Sequence, residues 1–419
     1  MKIISAIGEA GLEEAVIMPA NSVILWNGSS APSGWSIYAQ SLFIKGASAG
    51  NISTTPAGSE SHTHTMPSST GSRGDHTHNA SFNNSGTASH PYEFYGHPEN
   101  ADTAPGGHTH SGGNMNTSSD GGHSHTVGGS TGSTPHMPPY TVMNWITNSS
   151  PSLLPVGAIL FHNSLSSPNS SFVVSSILGH QKFVYGGDPG QSGPQGSTHK
   201  HSTNSNTGSA GEHNHYAGSF TYGWSGGNKN ASTYGASIAA PHNHSAGGST
   251  GTDSNHNHSL GDTHESSNIP PYIDLACVEY VEETDEVPSG IIIAFKGSSS
   301  AIPSGWSLYT SAANRFVRVI TSGTVGATGG SATHTHSNPN TGSRSSHNHT
   351  GPSGTMSGAP GVKITDLTGG SGAWGNTTGH SHTWSVGIGT ADSHGHSVGA
   401  TGSANHEPPH IRLYFIQKS

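Results

Sequence analysis

The chain has 419 residues, of which 29% are hydrophobic and 9% charged, with 60 glycines, 32 histidines and a single cysteine. So little apolar material cannot fill one large core, so the chain is either disordered or held by something other than core burial, such as metal or interchain winding. A net charge of −10 with no basic run excludes nucleic-acid binding, and the lone Cys277, in an apolar strand-like run that reads as a buried thiol, excludes an internal disulfide framework.

In chain order, residues 1–21 come first. Their opening, MKIISAIGEAGLEEAV, is interrupted by Glu9, Glu13 and Glu14 and does not read as a signal peptide. No apolar stretch is long enough to span a bilayer. The segment has no counterpart later in the chain, and it reads as a docking segment or as a frayed terminus.

From Ser22 a strand-like run begins, SVILWNGSSAPSGWSIYAQSLFIKGAS, and its pattern returns twice, from Val156 to Asp188 and from Gly290 to Ile320. Each unit closes on a Pro-Pro strand: MPPYTVMNWI, IPPYIDLACVEYV and EPPHIRLYFIQK. These runs hold most of the β-branched and aromatic residues, so they predict a small β-rich collar. The chain divides into repeats at 22–150, 151–282 and 283–419, joined by short linkers.

Between opening and closing strands each unit carries four His-x-His pairs. They are His62/His64, His76/His78, His108/His110 and His123/His125, then His199/His201, His213/His215, His242/His244 and His256/His258, then His334/His336, His347/His349, His380/His382 and His394/His396. Random placement at this composition predicts about 2.4 such pairs, so the twelve found are an excess, and no adjacent His-His occurs. In an extended chain residues i and i+2 share a face, which makes each pair a bidentate imidazole clamp, with small polar residues between the histidines facing solvent. A disordered low-complexity metal buffer is the alternative reading, and contiguous histidines of the tag type are absent. The steps between first histidines are 14, 32 and 15, then 14, 29 and 14, then 13, 33 and 14. Short steps flanking one long step lay out an elongated hairpin, out through two pairs and back through two.

The long inserts carry Phe82, Tyr92, Phe94 and Tyr95 in the first unit, Tyr216, Phe220, Tyr222, Trp224 and Tyr234 in the second, and Trp374 in the third. Aromatics clustered at the far end of a rigid support suit contacts to sugars or proteins, or close the tip by packing on each other. Histidines outside the pairs, among them His136, His264 and His406, read as packing or surface residues. Arg73-Gly74-Asp75 reads as a chance triplet. No His-Glu-x-x-His and no acid/base pair accompanies the ladder, which argues against a hydrolase.

The apolar strand followed by Pro-x-Gly-Trp (Pro32 to Trp35, Pro303 to Trp306) and the element Asn314-Arg315-Phe316 form a recognisable set. The histidine ladder and the terminal Pro-Pro-Tyr strands (Pro138, Pro139, Tyr140; Pro270, Pro271, Tyr272) complete it. Over nearly the whole chain beyond residue 21, this set resembles the phage tail-collar family, in particular the receptor-binding tips of T-even tail fibres. The resemblance implies homotrimeric tips in which one His-x-His from each of three chains makes a six-histidine octahedral site, with iron or zinc as the ion. It implies a virion tail protein, assembled in the host cytoplasm and released by lysis. Such a protein meets other tail proteins through its N-terminal segment and a bacterial surface receptor, a glycan or an outer-membrane protein, through its tip. The Cys-Asp-Gly that often follows the family's Gly-Trp is missing, and this chain holds three units where the family usually has one.

Three units predict that one chain folds as its own trimer, a mostly β protein with a collar and an intertwined, metal-stapled needle. One ion site would gather His62, His64, His199, His201, His334 and His336. Another would gather His76, His78, His213, His215, His347 and His349. A third would take His108, His110, His242, His244, His380 and His382, and a fourth His123, His125, His256, His258, His394 and His396. Four divalent ions per chain follow, with Fe²⁺ favoured by six-coordination and Zn²⁺ as the alternative. A homotrimer with three collars in series is the competing arrangement. A needle that pierces without recognising a receptor, or a secreted metal-binding protein, are the competing functions.

Overall fold

A computed structural model describes residues 16–48, 50–85, 114–119, 122–194, 196–203, 206–223, 243–281, 286–357, 381–390 and 393–419. Among them the structure is almost wholly β, with two single-turn 3-10 helices at Ser299–Ala301 and Thr310–Ala312.

Each unit gives four strands to a collar. The first unit supplies β1 (Ser22–Trp26), β2 (Ser36–Tyr38), β3 (Phe43–Gly46) and β4 (Tyr140–Thr147). The second supplies β5 (Ala158–His162), β6 (Phe172–Val174), β7 (Lys182–Gly186) and β8 (Tyr272–Tyr280). The third supplies β9 (Ile291–Phe295), β10 (Trp306–Leu308), β11 (Phe316–Val319) and β12 (His410–Lys418).

Their pairing is cyclic. Each closing strand runs antiparallel to the opening strand of its own unit: β4 to β1, β8 to β5 and β12 to β9. It also runs parallel to a strand of the next unit: β4 beside β7, β8 beside β11, and β12 back beside β3. The opening strands β1, β5 and β9 pair with one another around a ring. So do β3, β7 and β11. The result is a closed barrel with pseudo-threefold symmetry inside one chain, and three repeats therefore form one body and not three collars in series.

The opening strands have apolar side chains on both faces because both faces are covered. Val23, Leu25, Ile159, Phe161, Ile292 and Ala294 join one core layer, and the alternate residues Ile24, Leu160 and Ile293 join the other. At roughly 1.5–3 kcal/mol for each fully buried large aliphatic or aromatic side chain, this layer pair is where the chain's limited apolar content is concentrated. Cys277 is buried there, as read from the sequence. Residues 16–21 belong to the same body: Ile17–Met18 pairs with Ser152–Leu153, and Met18 is fully buried. Only residues 1–15 of the segment read as docking lie outside the described residues.

At the needle end the barrel is capped by Phe43, Phe183 and Phe316 with Met137. Each phenylalanine follows, by two positions, a residue in the left-handed region: Ser41 (φ 57), Gln181 (φ 55) and Asn314 (φ 58). The Asn-Arg-Phe element is thus a turn that aims a phenylalanine at the axis, and its two counterparts do the same without asparagine.

Beyond this cap the limbs are not continuous strands, contrary to the extended-ladder expectation. Next to the cap, regular pairing is limited to Ser61–His62 with Thr134–Pro135, Thr198–His199 with Ser266–Ser267, and Thr333–His334 with Ala404–Asn405, and it resumes only in distal strands such as Asn79–Ser85 and Tyr216–Gly223. Between these there are isolated bridges such as Ser69 to Thr126 and Ala210 to His256. The limbs alternate between bonds within a unit and bonds to a neighbouring unit, which breaks any regular two-strand register.

Candidate metal centre

The sequence expectation that equivalent pairs meet is realised at three levels. Nearest the collar, His62, His64, His199, His201, His334 and His336 each place a ring nitrogen within 4.8 Å of all the others. Their rings stand edge-to-face with neighbouring centroids 4.7–5.1 Å apart, and leave His62 opposed to His336, His64 to His199 and His201 to His334. Four neighbours and one opposite for every ring is the connectivity of an octahedron.

The same connectivity recurs in His76, His78, His213, His215, His347 and His349, with centroids 4.7–5.5 Å apart. It recurs again in His123, His125, His256, His258, His394 and His396, at 4.7–5.4 Å. The returning limb interleaves with the outgoing one. Thr70 bonds to the His125 carbonyl and Arg73 to the His123 carbonyl, while Thr117 bonds to the His78 carbonyl. The His123/His125 level therefore lies between the levels of His62/His64 and His76/His78.

Of the remaining set, His108, His110, His242 and His380 lie outside the described residues. His244 and His382 fall in the distal strands Asn243–Ser249 and Ser381–Ile388, where only the backbone is described. Tyr92, Phe94, Tyr95, Trp224, Tyr234 and Trp374 also lie outside the described residues. Phe82, Phe220 and Tyr222 sit on the strands Asn79–Ser85 and Tyr216–Gly223, again with backbone alone described.

The second histidine of each pair is buried and held the same way at every described level. His64 donates its Nδ1–H to the Gly402 carbonyl, His201 to Gly132 and His336 to His264, at 2.7–2.8 Å. His125 donates to Gly208, His258 to Gly342 and His396 to Gly71. His78 donates to Gly389, His215 to Ser118 and His349 to Gly251. Every acceptor belongs to a neighbouring unit, so these bonds wind the units together. A carbonyl cannot donate, so the proton is on Nδ1, and in a neutral ring Nε2 is a bare lone pair pointing at the axis.

Eight of these nine histidines, all but His349, also sit opposite a buried threonine. His64 N–H donates to Thr131 Oγ1 while Thr131 N–H donates to the His64 carbonyl, and Thr70, Thr117, Thr207, Thr250, Thr263, Thr341 and Thr401 repeat the exchange. Glycine usually follows, because its position is crowded by the residue after a neighbouring pair. A Cβ on Gly208 would lie 2.0 Å from Thr126 Oγ1, and one on Gly402 2.1 Å from Thr65 Oγ1. The sequence reading missed this Thr-Gly element, although its recurrence opposite the pairs was a usable signal.

The donor sets fit a six-coordinate ion. Nitrogens about 2.1 Å from a shared ion would stand about 3.0 Å from their octahedral neighbours. Nε2 of His62 and His64 are 2.9 Å apart, those of His334 and His336 2.9 Å, and those of His64 and His334 3.2 Å. With their protons on Nδ1, His64 and His336 turn bare lone pairs toward the facing nitrogens at these distances, and such a lone pair is met favourably only by an N–H or by a cation. Nε2 of His201 in this set, and of His78, His125, His215, His258, His349 and His396 at the next levels, is buried without a hydrogen-bond partner.

Electrostatics favour the neutral, ligating form. Burial first, and then the neighbouring imidazoles, push His62 and His334 down to about 2 and His199 to about 3. The same two causes bring His76 down to about 4. At the intermediate level burial comes first for His256 and His394, lowered to about 3, with the Arg344 and Arg73 guanidiniums next. Asp253, bound to Arg344 at 2.6 Å, stands 3.7 Å from His347 Nε2 and is the one described carboxylate paired with a ladder histidine. Comparison of the chain with protein-family models, with curated proteins and with solved structures gives no match.

Proposed function

We propose that this protein is a structural needle stapled along its axis by divalent ions, carried at a virion tail tip for attachment to a host cell. The observation that carries the reading is the octahedral disposition of six imidazoles, repeated at successive levels, with Nε2 lone pairs aimed inward. Three described levels and the fourth set of pairs would take four ions per chain. All-imidazole six-coordination leaves no position open for water or substrate, so the ions are structural. Six borderline nitrogen ligands favour Fe²⁺, with Zn²⁺ as the second choice.

The virion setting rests on the tail-collar resemblance of the Pro-x-Gly-Trp, Asn-Arg-Phe and Pro-Pro-Tyr elements. Recognition is favoured over piercing because the distal strands abandon threefold pairing. Asn79–Ser85 of the first unit pairs with Ser381–Ile388 of the third, whereas Tyr216–Gly223 and Asn243–Ser249 pair within the second. A point that only pierces has no need of three different faces. The receptor-contacting side chains would then come from Phe82, Tyr92, Phe94, Tyr95, Phe220, Tyr222, Trp224, Tyr234 and Trp374, with residues 1–15 toward the tail.

The test is elemental analysis with light scattering on one sample, followed by binding of labelled protein to a panel of bacterial cells. A mass near 42.7 kDa, four ions per chain and cell binding that survives dilution are expected. Protein purified anaerobically with no bound ion would overturn the stapled needle. Ion-loaded protein that adheres to no cell or envelope glycan would overturn the attachment role.

A further inference from the structure

Between the phenylalanine cap and the first histidine set lies a buried polar layer that the metal reading leaves unused: His136, Asn268 and His406, each four residues before the tyrosine or histidine that opens a closing strand. We propose that these three are the positioning residues of the collar-proximal ion site, each accepting the Nδ1–H of the first histidine of its own unit. The proposal rests on the ion-stapled reading above.

The proton positions follow from the acceptors. His406 Nε2 faces the Ile269 carbonyl at 3.4 Å, and a carbonyl only accepts, so the His406 proton is on Nε2. Its Nδ1 is then an acceptor, and His334 Nδ1, 2.6 Å away, must be the donor. His334 Nε2 is thereby left bare and faces the axis. In the first unit His62 Nδ1 and His136 Nδ1 are 2.8 Å apart. The Glu407 carbonyl beside the His136 ring favours a proton there, although His136 Nε2 makes no formed hydrogen bond. In the second unit Asn268 Nδ2 donates to the Met137 carbonyl at 3.0 Å, which fixes the amide and leaves Oδ1 as the acceptor.

Asn268 Oδ1 and His199 Nδ1 are both buried and both unpartnered, so a donor and an acceptor of the second unit stand where the other two units have a formed bond. The layer is thus itself cyclic. Its donors turn to the backbone just ahead of a neighbouring unit's Pro-Pro, and its acceptors turn to the site. The second histidines of this site lean on carbonyls, as at the other levels. Its first histidines lean on two imidazoles and an amide. A hydrogen-bond acceptor behind a ligating imidazole fixes its tautomer and raises its basicity, and loss of such an acceptor costs about tenfold to a hundredfold in metal affinity.

The experiment is release of Ni²⁺ from the full chain to a chromophoric chelator, for the wild type and for His406→Leu, His136→Leu, His406→Asn and Asn268→His. The leucine variants are expected to lose one ion per chain about tenfold to a hundredfold more readily, with the others held as in the wild type. His406→Asn should retain that ion, since asparagine already serves in the second unit. Asn268→His should hold it more tightly, because an imidazole nitrogen is a stronger acceptor for the His199 Nδ1–H than an amide oxygen. Leucine variants that keep every ion at wild-type affinity would overturn the proposal while leaving the stapled needle intact. Should the leucine variants fail to fold, Asn268→His decides alone, and equal or faster release from it would overturn the proposal. A wild type that takes up no Ni²⁺ and no Fe²⁺ would overturn both.

Discussion

At the scale of single residues, the threonines opposite the histidine pairs matter as much as the histidines. Thr207 Oγ1 takes the His258 N–H at 3.0 Å and its own N–H binds the His258 carbonyl. Thr207→Val keeps the shape and strands a buried donor, so a loss of about 1–3 kcal/mol is expected in denaturant unfolding, without loss of the ligand itself. An unchanged midpoint would refute the role. The imidazoles themselves set the response to acid. His62, His199 and His334 have folded values far below 6.5, lowered by burial first and then by neighbouring rings. The unfolded chain therefore binds protons more readily below pH 6.5, and the stability from neutral rings is complete above that value and drains as pH falls toward 4 and below. Protease resistance measured from pH 7 to pH 3 should decline over that range in metal-free protein. A resistance that held to pH 3 would contradict the assignment of these rings as buried and neutral.

At the scale of the element, the repeating piece of the needle is one level: three His-x-His pairs, the threonines opposite them and the carbonyls of neighbouring units. Levels share few residues, so they should fail one at a time. Replacing His78, His215 and His349 together with glutamine is expected to remove one ion per chain and leave the collar-proximal ions in place, read by elemental analysis and limited proteolysis. Loss of every ion at once would show that the levels are not separate. Much of this element was legible in the sequence, because period two is the geometry of an extended chain and the intervening residues, Thr63, Asn214 and Thr335 among them, are indeed exposed. The interleaving of outgoing and returning pairs was not stated by spacing alone. Thr-Gly was hidden because those are among the commonest residue types here. The His136 layer was hidden because Asn268 interrupts its pattern.

At the scale of the whole molecule, a single chain closes the ring that a trimer would need three chains to close. The antiparallel partners β1 and β4 belong to one repeat and were readable as its opening and closing runs. The parallel partners β4 and β7, β8 and β11, and β12 and β3 come from different repeats, and no local periodicity names such a partner. The topology makes folding unimolecular. The midpoint of thermal unfolding should therefore stay constant over a hundredfold range of protein concentration, read by calorimetry or circular dichroism, where an associating trimer would shift. A concentration-dependent midpoint would put three chains back in the needle.

The Asn268 position shows what this closure permits. In an assembly of identical protomers every substitution near the axis is made in triplicate, and a side chain that suits one seat must suit all three at once. Here each seat has its own codon. One histidine of the layer can become asparagine while the other two stay, and one insert can lengthen or gain tryptophan without burdening its neighbours. The fused chain thus trades the economy of a short gene for the freedom to vary a threefold object one third at a time.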